Sequence, residues 1–204
     1  MMFLLLNIYG GQSSLHKIEL ENRCVEFEQF SDTQKNVILQ TYLAGFQSGY
    51  GYTLAAIAWH ESCAGEYRIN FQDPSAGLFH AFIPSVFKRH SYLKENGFTQ
   101  NMVGHRLVTD DDFSIQIVLE ELTFWERVHS GNWKNIVKSY NRGYSWQSSK
   151  KANQSAEEYY QSIASKVKVI QQYIYDIKIA ESIQKKLKLP IYQQRANGNL
   201  VVLK

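Results

Sequence analysis

The segment Trp59-His60-Glu61-Ser62-Cys63-Ala64-Gly65 carries the most suggestive chemistry in this sequence. Its carboxylate follows an apolar stretch, LAAIAWHESC, that reads as a helix from Leu54 to about Cys63. The negative dipole at a helix C-terminus disfavours ionisation there. Apolar neighbours raise the carboxyl pKa further through desolvation. A carboxyl kept protonated near neutral pH is what a general acid requires. A second carboxylate, Asp73, precedes Pro74. Asp-Pro is an ordinary turn signal, yet a second carboxylate is what acid–base chemistry would use as nucleophile or water activator. Glu66 is a weaker candidate for that role.

Other constellations are poorer. Cys63 with His60 or His80 would make a thiol nucleophile and base, but no third orienting group is indicated. His60, Cys63, His80 and His90 lack zinc-site spacing, so no metal is expected. No phosphate loop or dinucleotide fingerprint occurs, and no cofactor is expected. Trp125 and Trp133 read as core residues. Trp146, beside Gly143-Tyr144-Ser145, is the best candidate for stacking on a ligand.

Two further groups accompany Glu61. Gly77-Leu78-Phe79-His80 follows it, and Ser139-Tyr140-Asn141-Arg142-Gly143 comes far downstream. The order Glu-Ser, then Gly-Leu, then Tyr-Asn-x-Gly resembles the lysozyme-like lytic transglycosylases (the soluble lytic transglycosylase catalytic domain). The resemblance covers about residues 25–175. Phe79 and His80 depart from the methionine and glutamine usual in that family, and Ser139 replaces an alanine.

This resemblance implies cleavage of the β-1,4 bond between N-acetylmuramic acid and N-acetylglucosamine in peptidoglycan. Glu61 would be the general acid and base, and Tyr140 would help fix its geometry. Ser62, Gly77, Leu78, Phe79, His80 and Asn141 would support the site or contact the sugar, with Phe79 packing on a sugar face. Glu61-Ser62-Cys63-Ala64-Gly65 is also similar to a run of the goose-type lysozymes, which carry an aspartate at nearly the offset of Asp73. That similarity implies the alternative, a hydrolytic muramidase. A wall-binding protein that keeps the fold without the chemistry is a third reading.

Helical spacing must position these groups. Ser31 with Gln34 makes a capping box ahead of Val37, Ile38, Tyr42, Leu43 and Phe46. Thr53 is a candidate cap for the helix that carries Glu61. Gly65, Asp73-Pro74, Ser75 and Gly77 mark irregular or short β structure around residues 64–80. Pro84 suits a first helical turn. A loop is expected over Asn96–Thr109, then a helix led by Asp110-Asp111-Asp112 and running to about His129. A short helix follows from Trp133 to Ser139. Ser155 with Glu158 forms a second capping box before a long amphipathic helix that reaches toward Leu187. Asn197-Gly198 between strand-like runs signals a small hairpin.

The expected architecture is therefore mostly α: a lysozyme-like fold with a small irregular or β portion, as a single domain with a helical C-terminal extension. Its parts are an N-terminal segment over 1–24, a catalytic domain over 25–178 and a basic extension over 179–204. The chain has 204 residues, 44% of them hydrophobic and 20% charged, which suits one buried core. A net charge of +3 is too small to announce a nucleic-acid binder. It is unevenly spread, since residues 150–204 hold ten Lys/Arg against four Asp/Glu. That basic end is suited to an anionic wall polymer.

Cys24 and Cys63 are expected as two buried free thiols, with a single bridge as the alternative in an oxidising compartment. The apolar run Met1–Leu6 is far shorter than the roughly 18 residues of a spanning helix, and it lacks the basic start of a secretory signal. It reads as a frayed or buried arm, with a degenerate signal as the alternative. Two settings fit a monomer that acts on peptidoglycan glycan strands without an integral membrane segment. One is a phage endolysin that reaches the wall from the host cytoplasm; the other is an exported bacterial wall remodeller.

Overall fold

Helix α2, Gly51–Ser62, is the element around which the others pack. Leu54, Ala55, Ala56, Ile57 and Ala58 are all completely buried. A helix that is apolar on every side must be enclosed by other elements. Three of these five are alanines, whose small side chains let neighbouring helices approach closely.

The computed structural model describes residues 24–90, 94–186, 191–194 and 200–203. A 3-10 turn at Phe27–Gln29 leads to α1 (Asp32–Phe46) and then α2. A minimal antiparallel hairpin, β1 (Ser75–Ala76) with β2 (Ala81–Phe82), pairs Ser75 with Phe82 and Ala76 with Ala81. Helices α3 (Ile83–Arg89), α4 (Gly97–Thr109), α5 (Asp111–Val128), α6 (Trp133–Arg142) and α7 (Ser145–Ser148) follow. The long α8 (Lys150–Lys186) then lies against α2, α6 and α7. The described residues are thus mostly helical with a small β portion. No described helix is long and apolar enough to cross a membrane.

Two apolar cores result. The larger gathers Ile38, Leu54, Ile57, Leu78, Phe79, Leu122, Val137, Ile163 and Ile170 around α2. The smaller joins Ala76 and Ala81 of the hairpin to Val86, Phe87, Val103, Leu107 and Ile117.

Several local expectations are met. Ser31 and Gln34 form the reciprocal capping box, and Asp110 caps α5 by accepting from the Phe113 N–H. Strands β3 (Ile191–Gln194) and β4 (Leu200–Leu203) pair antiparallel, as the hairpin signal anticipates. The Asn197-Gly198 turn between them lies outside the described residues, as does the N-terminal segment up to residue 23.

Others are corrected. Residues Gly97–Thr109 form a helix where a loop was expected. The Asn96 side chain accepts from the Thr99 N–H, and the Thr99 hydroxyl accepts from the Asn96 N–H. This box uses Thr at its third helical position instead of the usual Glu or Gln, which hides it in the sequence. Thr53 does not cap α2; it sits inside the helix, where its hydroxyl accepts from Trp133 Nε1 at 3.0 Å. Ser155 and Glu158 are no cap either, because α8 has already begun at Lys150. Ser155 instead accepts a hydrogen bond from Arg142.

The free-thiol expectation is also overturned, because Cys24 and Cys63 form a disulfide. It ties the N-terminal stretch to the end of α2 across a sequence separation of 39 residues. A cross-link of that span stabilises a fold by roughly 2–4 kcal/mol, chiefly by restricting the unfolded chain. Urea unfolding with and without a reducing agent should differ by that amount. Equal midpoints would show that the bridge adds nothing.

Candidate active site

Glu61 stands in the last turn of α2, where the chain changes direction. Cys63 and Ala64 both adopt left-handed backbone, with φ of 52° and 54°. The Ala64 N–H reaches back to the Ala58 carbonyl at 2.9 Å, closing the helix end. Left-handed geometry costs a non-glycine residue about 1–2 kcal/mol. The disulfide at Cys63 and a 3.0 Å hydrogen bond from Gln34 Nε2 to the Cys63 carbonyl hold that strained corner.

The Glu61 side chain is only 19% exposed. Tyr159 of α8 donates its hydroxyl to Oε1 at 2.7 Å. On the other side, His80 Nδ1 is 3.6 Å from Oε2. Burial pushes the Glu61 carboxyl up to about 7. The Tyr159 hydrogen bond favours the carboxylate and works against this, and the negative charge of Asp73 adds to it. Desolvation therefore wins, and Glu61 holds its proton into the neutral range.

Ser62 and the 77–80 turn explain why this geometry persists. The Ser62 side chain is completely buried, and its hydroxyl donates to the Leu78 carbonyl at 2.7 Å while accepting from the Gly65 N–H at 2.9 Å. Tyr140 donates to the next carbonyl, that of Phe79, also at 2.7 Å. Gly77 has φ +87°, and a Cβ there would meet the Leu107 carbonyl oxygen at 2.5 Å. Only glycine fits both the backbone and the space. The turn is thus pinned from α2, α4 and α6, and it delivers His80 beside Glu61.

These placements correct several expected contacts. Leu78 and Phe79 are each 1% exposed and belong to the large core, so Phe79 offers no face to a sugar. Ser62 and Gly77 are buried as well and shape the site from beneath. Trp146 does not line the cleft. Its Nε1 donates to Ser139 Oγ at 2.8 Å, and the Lys138 ammonium covers its ring at 4.2 Å. Glu66 lies away from Glu61, beside Tyr67, Ile69 and Phe71.

Glu61, Asp73, His80, Tyr140 and Asn141 do come together on a cleft of about 430 Å³. Asp73 is on the exposed rim, where Asn70 and Ser75 both donate to its Oδ1. The lining also includes Trp125 and an ion pair between Arg89 and Glu121 at 3.0 Å. Asn141 Oδ1 is buried without a hydrogen-bond partner, so an acceptor is free at the cleft wall.

Tyr159 is the residue that sequence reading missed. It was legible only as an apolar position on a long helix. Its hydroxyl meets Glu61 across 98 residues of chain, and no local pattern encodes that meeting. Tyr140, expected beside Glu61, lines the same cleft, but its ring stacks on Tyr159 at 6.5 Å and its hydroxyl donates to the Phe79 carbonyl, not to Glu61.

The raised carboxyl has a consequence for stability. The unfolded group titrates near 4.5 and the folded one near 7. Folding takes up a proton between those values, so the stabilising contribution is full below about 4.5 and is lost as pH rises through about 7. Glu61→Gln should remove this loss and raise stability at pH 8 by roughly 3 kcal/mol. Denaturation at pH 5 and pH 8 tests this, and an identical pH slope in both proteins would contradict it.

No known family profile matches the chain, and no solved structure matches it. A similar protein is the "Uncharacterized 20.7 kDa protein in vs-regB intergenic region" of Enterobacteria phage T4. It is 23% identical over 138 residues, which cover 67% of this chain and 75% of that protein.

Proposed function

We propose that the protein has a lysozyme-like fold and is a peptidoglycan glycosidase, a lytic transglycosylase with Glu61 as its general acid and base. The observation that carries the reading is the Glu61 carboxyl, protonated near neutral pH, on a cleft of about 430 Å³ that Tyr140 and Asn141 also line. Glu61 gives its proton to the glycosidic oxygen between N-acetylmuramic acid and N-acetylglucosamine, and the C1–O bond breaks. The Glu61 carboxylate then takes the proton of the muramyl C6 hydroxyl as that oxygen closes onto C1. A 1,6-anhydro end forms, and Glu61 regains its proton without water. Tyr159 orients the carboxyl and stabilises its charge between the two steps. The free acceptor on Asn141 suits an N–H of an N-acetyl group.

Hydrolysis is the second reading, and Asp73 favours it. Its carboxylate borders the same cleft and acts electrostatically on Glu61. In that case Asp73 takes a proton from water as the water oxygen attacks C1, and a reducing muramic acid end results.

The disulfide fits work on the oxidising side of a membrane. Likeness to a phage protein favours the phage setting over the bacterial one. Both agree with an endolysin that meets peptidoglycan after leaving the cytoplasm.

Digestion of purified peptidoglycan, with the new ends identified by mass, tests both mechanisms. Anhydro ends are expected, with Asp73→Asn retaining activity within a few-fold. Reducing ends, together with a loss of more than about 100-fold in Asp73→Asn, would establish hydrolysis instead. Glu61→Gln should abolish either reaction. Wild-type protein that pellets with sacculi but releases no fragments would make it a wall-binding protein.

A further inference from the structure

His80 holds an arrangement that the reaction above does not by itself require. Its Nε2 lies 2.7 Å from the Tyr67 carbonyl oxygen. A carbonyl oxygen can only accept, so Nε2 carries the ring proton. In the neutral ring Nδ1 is then a bare acceptor, and it is the nitrogen 3.6 Å from Glu61 Oε2. The other carboxyl oxygen, Oε1, already accepts from the Tyr159 hydroxyl. The proton of a neutral Glu61 therefore belongs on Oε2, the oxygen next to the bare nitrogen.

The surroundings preserve this polarity. The Tyr159 and Tyr140 hydroxyls, from α8 and α6, stay protonated because burial pushes both well above the usual phenol range. His60, in the turn before Glu61, is pushed down to about 4 by burial and by the Lys166 ammonium, with a smaller contribution from His80. It packs edge-on against Tyr159 and is neutral near pH 7. Burial lowers His80 itself, while the Tyr67 carbonyl and Asp73 oppose that shift. The Arg89–Glu121 ion pair in the cleft lining is mutually compensated. Of these groups, the His80 Nδ1 is the one 3.6 Å from Oε2.

The backbone at this residue is also held for the purpose. His80 has φ +44°, in the left-handed region that a side chain such as this rarely adopts. The two carbonyls just before it are clamped by Ser62 and Tyr140. Strain maintained next to a reactive group is a common sign of positioning.

The geometry points to His80 as a positioning residue that keeps the Glu61 proton on Oε2 and so sets the upper pH limit of the acid. This inference rests on the glycosidase reading for its effect on turnover, but not for the proton arrangement itself. An acceptor facing Oε2 favours the protonated carboxyl, whereas an N–H donor there favours the carboxylate. The 3.6 Å separation needs to close by about 0.7 Å for a direct hydrogen bond, a tightening common when substrate fills a site.

Nitrogen-15 NMR of the full chain should find the neutral His80 ring protonated at Nε2. Carbon-13 NMR of the side-chain carboxyls, with Glu61→Gln to assign the signal, should find Glu61 titrating near neutrality. In His80→Phe, which keeps a ring but removes the acceptor, the Glu61 midpoint should fall by about one pH unit. His80→Gly, suited to positive φ, also removes the acceptor and should lower the midpoint if the Phe variant misfolds. A ring proton at Nδ1, or a Glu61 midpoint that stays or rises in the folded variants, would overturn the proposal. In lysis assays the alkaline limb of the His80→Phe profile should shift down with the carboxyl. If the wild type lyses no peptidoglycan at any pH, the glycosidase reading fails alone, and the two NMR measurements still decide the role of His80.

Discussion

Desolvation of one carboxyl is the constraint on which the site depends. Helix α2 has to be enclosed, because its apolar residues run around its whole circumference. Its final turn carries Glu61 into that enclosure. Water is largely removed from the carboxyl, and the one strong donor left to it, Tyr159, does not fully replace water. The balance leaves Glu61 protonated near neutral pH. The packing that stabilises the fold thus also tunes the acid, at some cost to stability in alkaline solution.

The residues that flank the acid in sequence and those that face it in space do different work. Ser62, Gly77, Leu78 and Tyr140 belong to short motifs that suggest contact with substrate. In the folded chain they mainly hold a turn. Buried carbonyls need donors, and the hydroxyls of Ser62 and Tyr140 provide them at Leu78 and Phe79. Gly77 is required because the backbone of α4 leaves no room for a Cβ. The turn then places one ring, His80, against one carboxyl oxygen. Ser139 serves a similar local end by accepting from Trp146 Nε1.

The cleft brings together groups from elements distant in sequence. Asp73 and Ser75 come from the loop and hairpin of the smaller core, Tyr140 and Asn141 from α6, and Trp125 and Glu121 from α5. Its two sides can therefore contribute unlike chemistry: a neutral carboxyl at the end of a buried helix and a hydrogen-bonded carboxylate on an open rim. Glycosidases that use water need that contrast, whereas a transglycosylase can work with the first alone.

Local physics made much of this legible from sequence. Apolar spacing located α1, α2, α5, α6 and most of α8, and the Ser31–Gln34 box and the Asp110 cap set two helix starts, because these signals act within one or two turns. The same local reasoning singled out Glu61, since a carboxylate at the end of an apolar helix is unusual chemistry wherever it lies. It failed where a partner came from far along the chain. Thr53 looked like a cap until Trp133 claimed its hydroxyl. Cys24 and Cys63 looked like separate thiols until the N-terminal stretch met α2. Phe79 looked like a sugar platform until the core enclosed it. Sequence by itself determined which groups have the chemistry and where most of the helices lie. Only the tertiary structure decided that Tyr159 and His80 are the neighbours of Glu61, because desolvation and hydrogen bonding depend on distances in space that chain spacing does not encode.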